Sequence, residues 1–175
     1  MMPRPVHVPS EWFARPSPVH DVSHTQRVYA NAQTIAGMVD TDVDVTQHVT
    51  QAVLAAALWH DIGRVNDDWD PQHGALSATR VVELGLHESL PEADARLALF
   101  AIRYHCRGDE QGALRAAGQD DPERALRILW LLKDADALDR VRLGGGAYEV
   151  DSSALRHDCT CAMVGFAEEL LSALP

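Results

Sequence analysis

The stretch Ala55-Ala56-Ala57-Leu58-Trp59-His60-Asp61-Ile62-Gly63-Arg64 sets a His and an Asp side by side at the end of an apolar, Ala-rich run. Val49, Val53, Leu54, Ala57 and Leu58 recur at three- and four-residue spacing, which predicts a buried helix over about 47–62. Gly63 reads as its stop. His60 and Asp61 then fall on the last turn of a core helix, where an unpaired carboxylate is costly. Successive helical residues point about 100° apart. Two neighbours can therefore grip one ion from adjacent sides, but they cannot complete its shell. If the pair holds a metal, other helices must supply further His, Asp or Glu.

Outward from this run the same periodicity recurs. Asp21 to Val39 reads as a helix with an apolar stripe of Val28, Ala32, Ile35, Ala36 and Val39. His24 and Arg27 extend its buried face. Asp40 to Val45 reads as a polar connection, with Thr46 able to cap the helix that follows. The loop 63–72 carries Asp67, Asp68 and Asp70, read as solvated acids. His73 opens a helix to about Leu84, stopped by Gly85. Pro91 suits the first turn of a helix running to about His105. A polar insertion, Arg107 to Asp121, has room for a helical turn at 111–117. Pro122 starts a long helix through Val141 that contains Asp134, Asp136 and Asp139. Gly144-Gly145-Gly146 follows no strand and lacks the lysine of a phosphate loop, so it reads as a plain loop. Ser152 or Ser153 caps a final helix ending near Leu174. Residues 1–18 hold five Pro and read as an extended surface arm pinned by Trp12 and Phe13. With no strand pattern, repeat or linker, the expectation is an all-α protein. It consists of the arm and a single bundle of about six to seven helices over 19–175.

The formal net charge of −11 leaves no basic stripe for a phosphate backbone and argues against a nucleic-acid polymer as partner. No apolar run reaches the roughly 18 residues that span a bilayer, so no membrane partner is expected. The N-terminus has no signal-peptide core, and the expected location is cytoplasmic. Cys106, Cys159 and Cys161 have neither zinc-finger nor redox spacing and read as buried or idle thiols. Among nine His, His24, His60, His73 and His105 stand at the starts or ends of predicted helices. Asp136 lies mid-helix on an apolar stretch. His7, His20, His48, His87 and His157 read as surface residues, although His20 stands one turn before His24. Metal sites in α bundles are built from inward side chains of several helices in this way.

Taken together, these elements resemble the HD superfamily of metal-dependent phosphohydrolases, whose pattern is H…HD…D, from about His20 to Gly144. His24-Thr25-Gln26-Arg27-Val28 is similar to its first element. His60-Asp61-Ile62-Gly63-Arg64 is similar to the namesake pair, with Arg where many members carry Lys. His73-Gly74-Ala75-Leu76-Ser77-Ala78 and Tyr104-His105 resemble the extra His segments, and Lys133-Asp134-Ala135-Asp136-Ala137-Leu138-Asp139 resembles the closing Asp element. The resemblance implies that His24, His60, Asp61 and Asp136 hold a first ion, with Asp134 the nearest competitor for the last position. His73 and His105 would hold a second, bridged by Asp61. The implied cofactor is one or two divalent transition metal ions, with Mn, Fe, Co, Ni or Zn suiting mixed N/O donors and Mg also admitted. Arg27 and Arg64 would either grip a substrate phosphate or orient Asp136 or Asp61. Lys133 is a weaker substrate-binding candidate. The implied activity is hydrolysis of a small phosphate ester by metal-activated water, with a nucleotide as the leading class. The alternative is a non-catalytic sensor domain that binds a nucleotide or metal. A cyclic-dinucleotide phosphodiesterase is disfavoured, because no Gly-Tyr-Pro element follows Tyr104-His105. A Trp/Leu helix face could support a homodimer.

Overall fold

The computed structural model describes residues 6–39, 43–144 and 150–174. Among these residues the chain forms eight α-helices and short 3-10 turns, with no strand. The helices are α1 (Val22–Val39), α2 (Val43–Trp59), α3 (His73–Glu83), α4 (Glu92–Tyr104), α5 (Asp109–Ala116), α6 (Pro122–Leu138), α7 (Asp158–Cys161) and α8 (Val164–Ala173). Local chemistry sets several boundaries. Pro122 takes the first turn of α6, and the Asp121 side chain accepts a hydrogen bond from the Arg124 N–H at 3.1 Å. Glu92 and Asp94 sit at the positive end of α4. Gly85, at φ +68°, adopts the left-handed conformation that ends α3.

The core lies between α1, α2, α4 and α6, which pack on one another. Val28, Ile35, Val53, Ala56, Ala98, Ile102, Ile128 and Leu132 are fully buried there. Helix α3 rides on α4, and α5 on α6. Two close backbone approaches set the position of α3. A Cβ on Gly63 would stand 2.4 Å from the backbone of Leu76 and Ser77, and one on Gly74 would stand 2.4 Å from the Ile102 carbonyl oxygen. Gly63 is therefore not a helix stop. Helix α2 ends at Trp59, Gly63 has no positive φ, and its N–H donates to Ser77 Oγ at 3.0 Å. Its lack of a side chain is what lets α3 lie against the His60-Asp61 turn.

Other boundaries also differ from the sequence expectation. Helix α2 begins at Val43, so Thr46 lies inside it, while residues 40–42 are outside the described set, as are Gly145 and Gly146. The expected last helix is three pieces: a 3-10 turn at Ser152–Ala154, then α7 and α8. The cause is tertiary. The Arg156 and His157 backbone N–H groups each donate to the fully buried Asp134 carboxylate at 3.0 Å, so they are unavailable to a continuing helix. Arg156 Nη1 adds a bond at 3.0 Å and His157 Nδ1 one at 2.8 Å, which makes His157 a structural partner and not a surface bystander.

The arm has one 3-10 turn, Ser10–Trp12, and both Trp12 and Phe13 pack on the core. Arg80 donates to the carbonyls of Glu11, Trp12 and Phe13, and the Ala14 N–H donates to the Ile62 carbonyl at 2.7 Å. No helix among the described residues is long and apolar enough to cross a membrane.

Asp134→Ala should be among the most destabilising single changes. It strips two backbone donors, the His157 ring and one nitrogen of the half-buried Arg156 of their acceptor, while Arg156 keeps Asp109; each unsatisfied buried donor costs about 1–3 kcal/mol. Urea denaturation with the unfolding slope held in common is the measurement. A loss under about 1 kcal/mol would mean that water replaces the carboxylate.

Candidate metal centre

Helix ends deliver the donors. His24 comes from the first turn of α1, His73 is the first residue of α3, His105 caps the end of α4, and Asp136 lies on the last turn of α6. His60 and Asp61 lie in the tight turn just past α2, one step beyond the helical turn that the sequence suggested. The six residues converge on Asp61, which is 4% exposed.

Two sets of donor atoms share this carboxylate. In the first, His24 Nε2 lies 3.1 Å from His60 Nε2, 3.6 Å from Asp61 Oδ2 and 3.5 Å from Asp136 Oδ1. His60 Nε2 lies 3.7 Å from both carboxylates. In the second, His73 Nε2 and His105 Nε2 are 2.9 Å apart and lie 3.3 and 3.7 Å from Asp61 Oδ1. Donors bound about 2.1 Å from one ion at tetrahedral or octahedral angles stand about 3.0–3.4 Å apart, so both sets have the spacing of a coordination shell.

The tautomers sharpen this fit. Nδ1 of His60 lies 2.9 Å from the Ala57 carbonyl, Nδ1 of His105 lies 2.7 Å from the Ile102 carbonyl, and Nδ1 of His73 lies 2.5 Å from the Asp70 carbonyl. A carbonyl only accepts, so Nδ1 of His60 and of His105 carries the proton and turns an Nε2 lone pair inward, whereas Nδ1 of His73 lies between that carbonyl and Arg64 Nη1, a donor 2.8 Å away. Nε2 atoms facing each other at 2.9 and 3.1 Å repel unless a cation or proton lies between them. Asp61 Oδ1 is likewise buried with no hydrogen-bond donor. A buried anionic oxygen and inward lone pairs form a donor set that fits a divalent cation.

The rest of the site shows what the sequence did not. His24 Nδ1 lies 2.7 Å from Asp139 Oδ2, and Asp139 is fully buried. Arg27 donates to Asp139 Oδ1 at 2.6 Å and to the Leu174 carbonyl at 2.6 Å. Arg27 was expected to grip substrate or to orient Asp136 or Asp61; its guanidinium instead holds the carboxylate that orients His24. Lys133 is also turned elsewhere. Its ammonium donates to the Arg107 carbonyl at 2.6 Å and to Asp109, and lies over the Trp130 ring. Asp134, the competitor to Asp136, is occupied by Arg156 and His157. Trp130 is flanked by Lys133 and Arg156. Arg64 stays at the centre, with Nη1 3.8 Å from Asp61 Oδ1, held by its own loop through the Asn66 and Asp68 carbonyls.

His20 was read as a surface residue and is not one. Its ring meets His24 edge-on at 5.6 Å, and its Nε2 lies 3.8 Å from Asp61 Oδ2. Asp67 holds its Nδ1 at 3.2 Å. The only sequence signal was its place four residues before His24. Cys106, read as idle, falls within the same group as His73 and His105 as a further potential donor.

Charge follows this geometry. Burial alone would raise the Asp61 pKa, but the surrounding imidazoles, His60 first, hold it well below the carboxylate range. Burial alone would lower His60; the Asp61 and Asp136 carboxylates override it and push it up to about 9. Burial and the charges of His105 and Arg64 push His73 down to about 4.

Two outcomes follow for measurement. In the metal-free protein, His60 is raised from 6.5, so its contribution to stability is present below pH 6.5 and is lost as pH rises through about 9. His73 is lowered from 6.5, so its contribution is present above pH 6.5 and is lost as pH falls through about 4. The chelator-treated chain should melt highest near pH 6.5, and added metal should raise Tm most on the alkaline side; a flat alkaline limb would contradict this. The second outcome concerns Gly74. Gly74→Val drives a side chain into the end of α4 and should separate His73 from His105, lowering metal content per chain by mass spectrometry. Gly37→Ala, with open space around it, should not.

The sequence model of the HD domain family matches residues 21–141, a span that contains His24, His60, Asp61, His73, His105, Asp136 and Asp139. No curated protein and no solved structure matches the chain. Domains of this family bind divalent metals and have metal-dependent phosphohydrolase activity in general. With more than half of its length matched and an all-helical bundle around a His/Asp centre, the chain belongs to the HD domain family.

Proposed function

We propose that this chain hydrolyses a small phosphate ester, with nucleotides as the leading class, using two divalent transition metal ions. His24, His60, Asp61 and Asp136 would hold the first, and His73, His105 and Asp61 the second. The observation that carries the reading is Asp61: one oxygen serves each donor set, and Oδ1 is buried with no hydrogen-bond donor. Mn, Fe, Co, Ni and Zn all suit this imidazole and carboxylate mixture. When bound, such ions supply Lewis acidity toward phosphoryl oxygens and lower the pKa of water.

The chain's own groups do the rest. The carbonyls behind three of the imidazoles lock their orientation, and Asp139 with Arg27 does so for His24. Arg64 stands beside Asp61, with Nη1 3.8 Å from Oδ1 and 2.8 Å from His73 Nδ1, as the guanidinium that would meet a phosphate oxygen there. Asp136 keeps 36% of its side-chain surface exposed, so the first set is open on that side. In hydrolysis, a water oxygen bonds to phosphorus, the P–O bond to the alcohol breaks, and the proton from water ends on the leaving alkoxide. The complete donor set weighs for turnover over a sensor role.

The test is a panel of phosphomonoesters and nucleotides offered to protein loaded with Mn, Co, Ni or Zn. At least one ester should be cleaved, and Asp61→Ala and chelation should each return the rate to that of buffer with metal alone. Equal turnover by the chelated Asp61→Ala protein would overturn the reading.

A further inference from the structure

A groove of about 450 Å³ runs between the arm and the start of α1, lined by Glu11, Phe13, Ala14, Arg15, Ser17 and His20 among others. That is the size range of small-molecule sites. We propose that this groove takes the organic part of the substrate, a ring-bearing alcohol such as a nucleoside, esterified to the phosphate at the metal centre. The proposal rests on the hydrolase reading for the phosphate end only.

Three observations carry it. The first is adjacency. His20 lines the groove, and the same side chain stands 3.8 Å from Asp61 Oδ2 and edge-on to His24. A phosphate at the centre and a group in the groove are thus separated by one imidazole, within the reach of a phosphoester. The second is pre-organisation. Arg15 and Ser17 both donate to Asp67, whose Oδ1 also holds His20, and the Ala14 N–H is bound to the carbonyl of Ile62, next to Asp61. The groove wall is therefore tied to the loop that carries Arg64 before any ligand arrives, which removes ordering cost from binding. The third is chemistry. Phe13 lines the groove as an aromatic ring, the Glu11 carboxylate offers an acceptor, and Arg15 Nε is buried with no acceptor of its own. An acyl chain would leave Arg15 Nε without a partner, whereas a nucleoside brings several acceptors. All the lining residues but Asp21 and Val22 precede the family match at 21–141, so most of this wall lies outside the shared centre.

The experiment is calorimetric titration of the Mn-loaded full chain with two probes that cannot be hydrolysed. One is methylphosphonate. The other is a set of adenosine, guanosine, cytidine and thymidine 5′-phosphonates in which CH2 replaces the ester oxygen. At least one nucleoside phosphonate should bind the wild type tenfold or more tightly than methylphosphonate. Ala14→Trp fills the groove while keeping the Ala14 N–H, and should cut that preference at least tenfold. Ser10→Trp, at another exposed lining position, serves if the first variant fails to fold, with melting curves as the check. No preference in the wild type, or a preference that survives a folded groove-filling variant, overturns the proposal. Turnover assays run alongside separate the two readings. A preference lost in Ala14→Trp, with no ester cleaved under any metal, would leave the groove and remove the hydrolase. Cleavage that requires Asp61, with an unmoved preference, would do the reverse.

Discussion

A carboxylate buried among five imidazoles constrains the whole molecule. Asp61 can exist there only because the nitrogens around it are aimed, and each is aimed by a bond on its far side. Three of those bonds go to backbone carbonyls within three residues of the His itself. The orientation is thus a product of helix geometry: an imidazole at a helix end reaches back to a carbonyl of the same turn. Placing ligands at helix ends also spares the core. The donors leave the middle turns of α1, α2 and α4 to apolar packing, with Asn31 in α1 and Asp134 in α6 as separately satisfied buried polar groups.

Backbone contact does the remaining positioning. Helix α3 brings His73 to His105 only because Gly63 and Gly74 allow main chain to lie against main chain. A methyl group at either place would have to displace backbone, and the second donor set would open. The small residues near the His-Asp pair are therefore part of the site as much as its ligands are.

Much of this was legible in the sequence, and the reasons are local. Helical periodicity marked α1, α3, α4 and α6 closely, because each carries a regular apolar stripe and a clear start or stop such as Pro122 or Gly85. The donors His24, His60, Asp61, His73, His105 and Asp136 stood out as polar groups on apolar faces or at helix ends. What escaped notice depends on partners far along the chain. Asp139 looked like one more acid until Arg27 and His24 closed on it from 112 and 115 residues away. His20 looked exposed because its burial comes from the Asp67 loop. The last helix broke because Asp134, across the fold, drew off its backbone donors. Periodicity carries no signal for such contacts.

The Arg27 guanidinium has a second obligation: it also holds the Leu174 carbonyl, just past α8. One planar group thus connects the seating of the last helix to the His24 ring. Coupling of this kind is reciprocal in free energy. On the proposed two-ion reading, whatever loosens α8 would weaken the grip on an ion at His24, and an ion there would hold α8 down by the same amount. The end of the bundle farthest along the chain is in this sense a lever on metal affinity, and occupancy of the centre becomes a variable in how firmly the fold is closed.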